Sequence, residues 1–178
     1  QMLESSDKMK EMLKNNQIIA SKRQAPNLKT MLTNAKFIPS HHVYKTSRCG
    51  DKRCKCCENI IETSTYFFSA VNLNFTIKAD MNCNTKNCIY VLFCNSCNGT
   101  YVGQSGDELR SRTRVHRQHI NTISDISLCV SKHIALCAMN VSPQFKILPI
   151  YKMKTEDTQE RLAMERHFID KLKPSLNR

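Results

Sequence analysis

The sequence predicts an α+β domain: a small three-stranded antiparallel sheet flanked by helices, preceded by a helical connector and a cysteine-rich zinc-binding segment. Three observations carry this. Strand-like apolar runs at 89–93 and 145–151 bracket two stretches of helical period, and a third helical stretch follows at 156–172. A polar turn at 95–100, containing Asn98-Gly99, joins the first run to Tyr101-Val102-Gly103 as a hairpin. Cysteines crowd into 49–57 and 83–97 at separations short enough for thiolates to converge on one ion.

The elements follow in chain order. Residues 1–36 read as helix, with Met9, Met12, Leu13, Leu28, Met31 and Leu32 at 3- and 4-residue steps, broken at Pro26 with a restart at Asn27. The apolar face is narrow and lysine-rich, which makes 1–38 a connector. Residues 39–87 form the cysteine-rich segment, opening in a loop that holds Pro39 and the His41-His42 pair. Tyr66-Phe67-Phe68 and the run from Phe75 to Lys78 read as short strands within it.

The remaining domain, 88–178, has the order β-β-α-α-β-α. Ser105 or Asp107 caps a helix over 108–123, and a second helix spans 127–138. Pro149 inside the third strand argues for a sheet edge or a bulge, because proline lacks the N–H that a ladder needs. Thr155 is the expected cap of the last helix, and Pro174 ends it.

Composition narrows the function. The 178 residues include only 4 Gly and 5 Pro, which excludes collagen-like and Gly/Pro-rich chains. The longest apolar run, 88–94, is far short of the ~20 residues a membrane helix needs. No basic-then-apolar leader opens the chain, and a start at Gln1 reads as a piece of a longer protein. Twenty-seven Lys+Arg against 15 Asp+Glu leave a net charge of +12, which favours a polyanionic partner, nucleic acid above all. An anionic membrane is a poorer partner, since it requires a basic helix with a strong apolar face.

Ten cysteines admit either disulfides or metal. Short spacings, many lysines and the adjacent Cys56-Cys57 favour zinc. Cys49, Cys54 and Cys57 supply three thiolates, and a closed structural site needs a fourth ligand. Cys83 is the choice, with His41, His42 and Cys56 as alternatives. Cys94 and Cys97 need two more partners, with Cys83 and Cys88 as candidates, or else they are packing thiols. Cys129 and Cys137 sit in an apolar helical stretch and read as small buried hydrophobes.

The helix at 108–123 carries the chemistry. Leu109, Arg112, His116 and Ile120 fall at steps of 3, 4 and 4 and share one face. An arginine on a core-facing stripe must find a partner or line a cleft. Tyr90 and Tyr101 offer phenols from the hairpin, and Glu165 offers a carboxylate among Leu162, Phe168, Ile169 and Leu172. Such a carboxylate suits a hard divalent cation such as Mg²⁺.

These residues resemble a known family. Cys88-Ile89-Tyr90, ten residues, then Tyr101-Val102-Gly103 is similar to the paired motifs of GIY-YIG endonucleases. Leu109-x2-Arg112-x3-His116, Glu165-x3-Ile169 and Pro174-x2-Asn177 follow in that family's order, although Cys88 replaces its first glycine. Cys49-Gly50-x2-Arg53-Cys54-x2-Cys57-x2-Ile60, with Cys94-x2-Cys97-x3 before Tyr101, resembles more narrowly the endonuclease region of Penelope-like retroelements.

The resemblance implies a metal-dependent DNA endonuclease that nicks target DNA for retroelement insertion, following a reverse transcriptase and acting in the nucleus. It implies that Tyr90 serves as general base, Tyr101 positions the water or phosphate, and Arg112 stabilises the phosphate charge. His116 would orient or share the base, Glu165 would hold Mg²⁺ or Mn²⁺, and Asn177 would support the site. No small-molecule cofactor is implied. The other function class is a catalytically inactive zinc-containing module that only binds nucleic acid; a secreted disulfide-rich protein is the poorest fit.

Overall fold

A computed structural model describes Lys10 and residues 42–97, 99–121, 129–137 and 144–177. The expected connector at 1–38 (Lys10 apart), Pro39, His41, Asn98 of the hairpin turn, and the helix margins at 122–123, 127–128 and 138 lie outside these residues. The chain divides into two units, 1–42 and 43–178, and the architecture below belongs to the second.

The first strands are rich in aromatic residues, Tyr66, Phe67, Phe68 and Phe75, with Thr65 and Thr76 at their ends, which suits a pleated, half-buried surface. Strand β1 (Thr65–Phe68) and β2 (Leu73–Thr76) pair antiparallel, with Thr65 opposite Thr76 and Phe68 opposite Leu73. Asn72 turns the chain between them in the left-handed region, at φ 51°, a conformation asparagine tolerates better than most residues.

The main sheet has the order β4-β3-β5 and is antiparallel throughout. Its centre is β3 (Cys88–Cys94), an unbroken apolar run because both faces are covered. Strand β4 (Thr100–Ser105) places Gly103 opposite Tyr90 and Tyr101 opposite Leu92. Strand β5 (Phe145–Lys152) carries Pro149 at a sheet edge, and the register with β3 slips there: Tyr90 faces Pro149 while Ile89 faces Tyr151. Both accommodations expected for a strand proline, edge and bulge, therefore occur together.

Three helices complete the unit: α1 (Leu109–Asn121), α2 (Cys129–Cys137) and α3 (Thr158–Leu172). Asp157, not Thr155, caps α3, accepting a hydrogen bond from the Gln159 N–H at 2.9 Å. A carboxylate is the stronger acceptor at the positive helix end, and the Thr155 hydroxyl bonds Glu160 instead. Lys173, at φ 47°, closes α3 by donating its N–H to Ile169 O, and Pro174 prevents continuation.

The period-2 alternation of β3 sorts the core. Cys88, Tyr90, Leu92 and Cys94 pack with Leu109 and Ile120 of α1 and Val130 and Ile134 of α2. Ile89 and Val91 pack on the other side with Phe168 and Leu172 of α3 and Phe68 of β1. The cysteine-rich segment enters the first cluster through Cys56, Ile60 and Cys83. Its backbone also extends the sheet, since Ile61 N–H donates to Ile147 O at 2.9 Å and Ile147 N–H to Asn59 O at 2.8 Å. No described helix is long and apolar enough to cross a membrane.

Candidate active site and metal centres

Tyr90 stands at the middle of the central strand, with its ring wholly buried. Helix α1 crosses that face and presents Arg112 and His116, one turn apart, to the phenol. Arg112 Nε–H donates to Tyr90 Oη at 3.1 Å, and His116 Nε2 lies 2.8 Å from the same oxygen. Leu109 and Ile120, fully or nearly buried on the same stripe, hold the helix down.

Gly103 is what lets Tyr90 lie flat. A β-carbon at position 103 would stand 2.7 Å from Tyr90 Oη and 2.8 Å from the Tyr101 ring. No such approach is tolerable, so the two phenols close over a bare α-carbon.

The polar groups converge on Arg112. Burial works against its charge, but Tyr90, Tyr101 and Glu165 outweigh this and raise its pKa. Glu165 projects half-buried from α3. Burial raises its pKa, opposed in turn by the Arg112 charge, the Gln104 backbone N–H and Arg161. Arg161, buried one turn before Glu165, donates to Gln104 Oε1 at 2.6 Å, Asn87 Oδ1 at 2.9 Å and Thr158 Oγ1 at 3.2 Å, which pins α3 to the end of β4.

Burial dominates the acid–base character. It pushes the Tyr90 phenol up, against the pull of Arg112. With the protein's own groups alone, desolvation outweighs the arginine. His116 moves the opposite way, to about 3, because burial and the Arg112 charge both penalise the imidazolium. It is therefore a neutral imidazole at physiological pH.

The Nδ1 of His116 is buried without a hydrogen-bond partner. A hydrogen on Nδ1 would be an orphaned donor, whereas a hydrogen on Nε2 would point at Tyr90 Oη and leave the buried phenol's own hydrogen without an acceptor among the described residues. With Tyr90 ionised the conflict disappears, because its oxygen can then accept from both Arg112 Nε–H and His116 Nε2–H.

Asn177 sits one strand position from Gly103. Its Oδ1 accepts from Val102 N–H and its Nδ2 donates to Val102 O, each at 2.7 Å. With Leu176 N–H on Thr100 O at 3.0 Å, the C-terminal segment caps the open edge of β4. Asn177 thereby braces the strand that carries Tyr101 and Gly103.

Two clusters of side chains could hold zinc. In the first, Cys49, Cys54, Cys57 and Cys83 place their sulfurs within 4.8 Å of one another. Cys49 and Cys57 are 3.5 Å apart and Cys57 and Cys83 3.6 Å. A tetrahedral ion with Zn–S near 2.3 Å separates its sulfurs by ~3.8 Å, so these four thiols fit it. All four are free of disulfides. Of the alternatives read from sequence, Cys56 is not one of the four: it is buried, with its sulfur 3.2 Å from Thr113 Oγ1 of α1, and its thiol pairs with that of Cys83 alone among them.

The second cluster joins Cys94 and Cys97 to His133 and Cys137, again within 4.8 Å. Cys97 Sγ lies 3.1 Å from His133 Nε2 and accepts the Gly99 N–H at 3.4 Å. Cys83 and Cys88, the partners suggested by sequence, are not among them: Cys83 completes the first cluster, and Cys88 is buried with its thiol toward Thr85 O. Cys137, half-buried, packs against the core as expected and also joins this ligand-like set, and the Cys129 side chain lies outside the described residues. The spacing His133-x3-Cys137 was the overlooked signal, since residues four apart on a helix share a face.

No protein-family model, curated protein or solved structure matches this chain.

Proposed function

We propose that this chain is a metal-dependent DNA endonuclease domain of the GIY-YIG type found in Penelope-like retroelements. The observation that carries the reading is the convergence of Arg112 and His116 on the Tyr90 hydroxyl, with Tyr101 and Glu165 within electrostatic reach of the same guanidinium.

Phosphodiester hydrolysis needs a diester anion neutralised and a water deprotonated. Arg112 supplies fixed positive charge in a half-buried setting, where it acts more strongly than in water, and its fork matches phosphate oxygens. Tyr90, ionised to the phenolate, takes the proton of the attacking water and becomes the neutral phenol. Two hydrogen bonds donated into its oxygen, from Arg112 and His116, stabilise the phenolate that this role requires. Glu165 would hold Mg²⁺ or Mn²⁺, which would supply positive charge to offset the charge developing on the diester. Tyr101 lines the approach beside Arg112. The all-cysteine cluster and the Cys/His cluster would each hold a structural zinc ion, fixing the segment beside α1 and the β3–β4 hairpin respectively. The setting that goes with this reading is a nuclear protein in which a reverse transcriptase precedes the domain.

The second reading, a nucleic-acid-binding zinc module without turnover, is favoured by one observation: burial raises the Tyr90 phenol rather than lowering it. Plasmid nicking in Mg²⁺ separates the two. Relaxed circles from the wild type, absent with Arg112→Ala and Glu165→Ala, are expected. Supercoiled plasmid that is bound and retarded but never cut would establish the binding module instead.

A further inference from the structure

We propose that the groove between the first cysteine cluster and helix α1 is a docking track for the phosphate backbone of DNA, separate from the Tyr90–Arg112 site. Taking DNA as the occupant rests on the endonuclease reading above.

The groove has a volume of about 240 Å³ and is lined by Arg53, Lys55, Arg110, Arg114 and Arg117, with Asp51 as its one carboxylate. Five cations against one anion form a steep local excess, even within a basic protein. It arises from two segments brought together by folding. Helix α1 carries four arginines and no acidic residue over its 13 positions. At 3.6 residues per turn, Arg110, Arg114 and Arg117 form one stripe, while Arg112 falls on the other flank of the buried face. The cysteine-rich segment contributes Arg53 and Lys55 beside Cys54.

The cations divide by their partners. Arg117 is structural: its Nη2 donates to Lys55 O at 2.8 Å and Asn59 Oδ1 at 2.7 Å, locking segment to helix. Arg110 is neutralised by Glu108 at 2.6 Å, with Asp51 at 4.0 Å. Arg53, Lys55 and Arg114 are exposed, and among the described residues no carboxylate lies within ion-pair distance of them. Three uncompensated cations on a rigid wall repel one another, and a polyanion relieves that repulsion.

The geometry selects a phosphate backbone over a membrane. The stripe from Arg110 to Arg117 covers ~10 Å of helix, about three nucleotide steps of ~3.4 Å along one strand. The exposed positions of α1 around it are polar, Arg110, Arg114 and Gln118, whereas an interfacial helix needs an apolar face. With Arg112 on the opposite flank, one helix would lie between a held backbone and the candidate catalytic groups.

The test is the salt dependence of binding of the whole chain to a fluorescent DNA duplex. The variants are Arg53→Gln, Lys55→Gln and Arg114→Gln combined, and a control combining Lys86→Gln, Lys152→Gln and Lys154→Gln, which line a different cavity. The groove variant is expected to lower the slope of log K against log salt by about 2 to 3, near 0.9 for each phosphate that is no longer neutralised. The control should change it far less. Equal slopes for the groove variant and the wild type, equal losses in groove and control variants, or no binding of duplex by the wild type would each overturn the proposal. Melting temperature and zinc content verify folding; should the triple variant fail either, Arg114→Gln alone, exposed on α1, is expected to lower the slope by about 1. Nicking is read separately: a wild type that binds through the groove without cutting removes the nuclease reading and leaves the groove. A wild type that cuts with an unchanged variant slope removes the groove and leaves the nuclease.

Discussion

Tyr90 and Gly103 face each other across the β3–β4 ladder, and a single added carbon at Gly103 would meet the Tyr90 hydroxyl at 2.7 Å. The glycine is therefore part of the phenol's seat, with no conformational freedom needed to explain it.

Gly103→Ala should displace the Tyr90 ring, breaking its alignment with Arg112 and His116. Overpacking of this kind costs about 1–3 kcal/mol. The expected outcome is a measurable drop in melting temperature together with a loss of nicking. Unchanged crystal geometry at Tyr90 in that variant would contradict the seat.

Arg112→Lys should fail almost as badly as Arg112→Ala. A lysine keeps the charge but cannot donate from Nε to the phenol while offering a fork to phosphate. Single-turnover cleavage is expected to fall by about 10²–10³, the usual loss for one transition-state donor. Glu165→Ala should abolish turnover and leave duplex affinity largely intact, measured by anisotropy.

Acid should weaken the fold through His116. Its pKa is about 3 in the folded chain against about 6.5 when unfolded. Below pH 6.5 the unfolded chain binds a proton that the folded chain refuses, so stability falls on acidification and levels off near pH 3. This group alone contributes about 1.4 kcal/mol per pH unit across that window. Glu165, whose carboxyl is raised by burial, acts in the opposite sense at the acid end. Urea melts at pH 7 and pH 5 should show a smaller difference in His116→Gln than in the wild type; equal differences would remove His116 as the cause.

Metal analysis should find two zinc ions per chain. Cys83→Ser and Cys137→Ser are each expected to retain one, because the two clusters share no residue. Chelation should lower the melting temperature, since the first cluster lies against the same core as Tyr90. A single ion lost only with Cys83→Ser would show that the second cluster is a set of reduced thiols.

Much of the fold was legible because its causes are local. The apolar run of β3, the proline of β5 and the helical period of α1 each act within a few residues, and the structure places these three close to their expected bounds, whereas β2 (Leu73–Thr76) begins two residues before the strand expected from Phe75 to Lys78. The cap of α3 was misread because two oxygen acceptors stand two residues apart and only the geometry of the turn chooses between them. The cysteine pairs Cys54/Cys57 and Cys94/Cys97 were legible for the same local reason.

Tertiary structure decided what sequence spacing cannot. It brought His133 and Cys137 across from α2 to the hairpin, so that Cys137 both packs on the core and joins Cys94 and Cys97. It set Gly103 beneath two phenols and made Asn177 a brace on Val102. Above all it decided the electrostatics: the sequence determined that Tyr90, Arg112, His116 and Glu165 exist at spacings that permit a site, but the desolvation that raises the phenol and neutralises the imidazole depends on packing from every side. Burial is a property of the assembled core, and no spacing of residues along the chain encodes it directly.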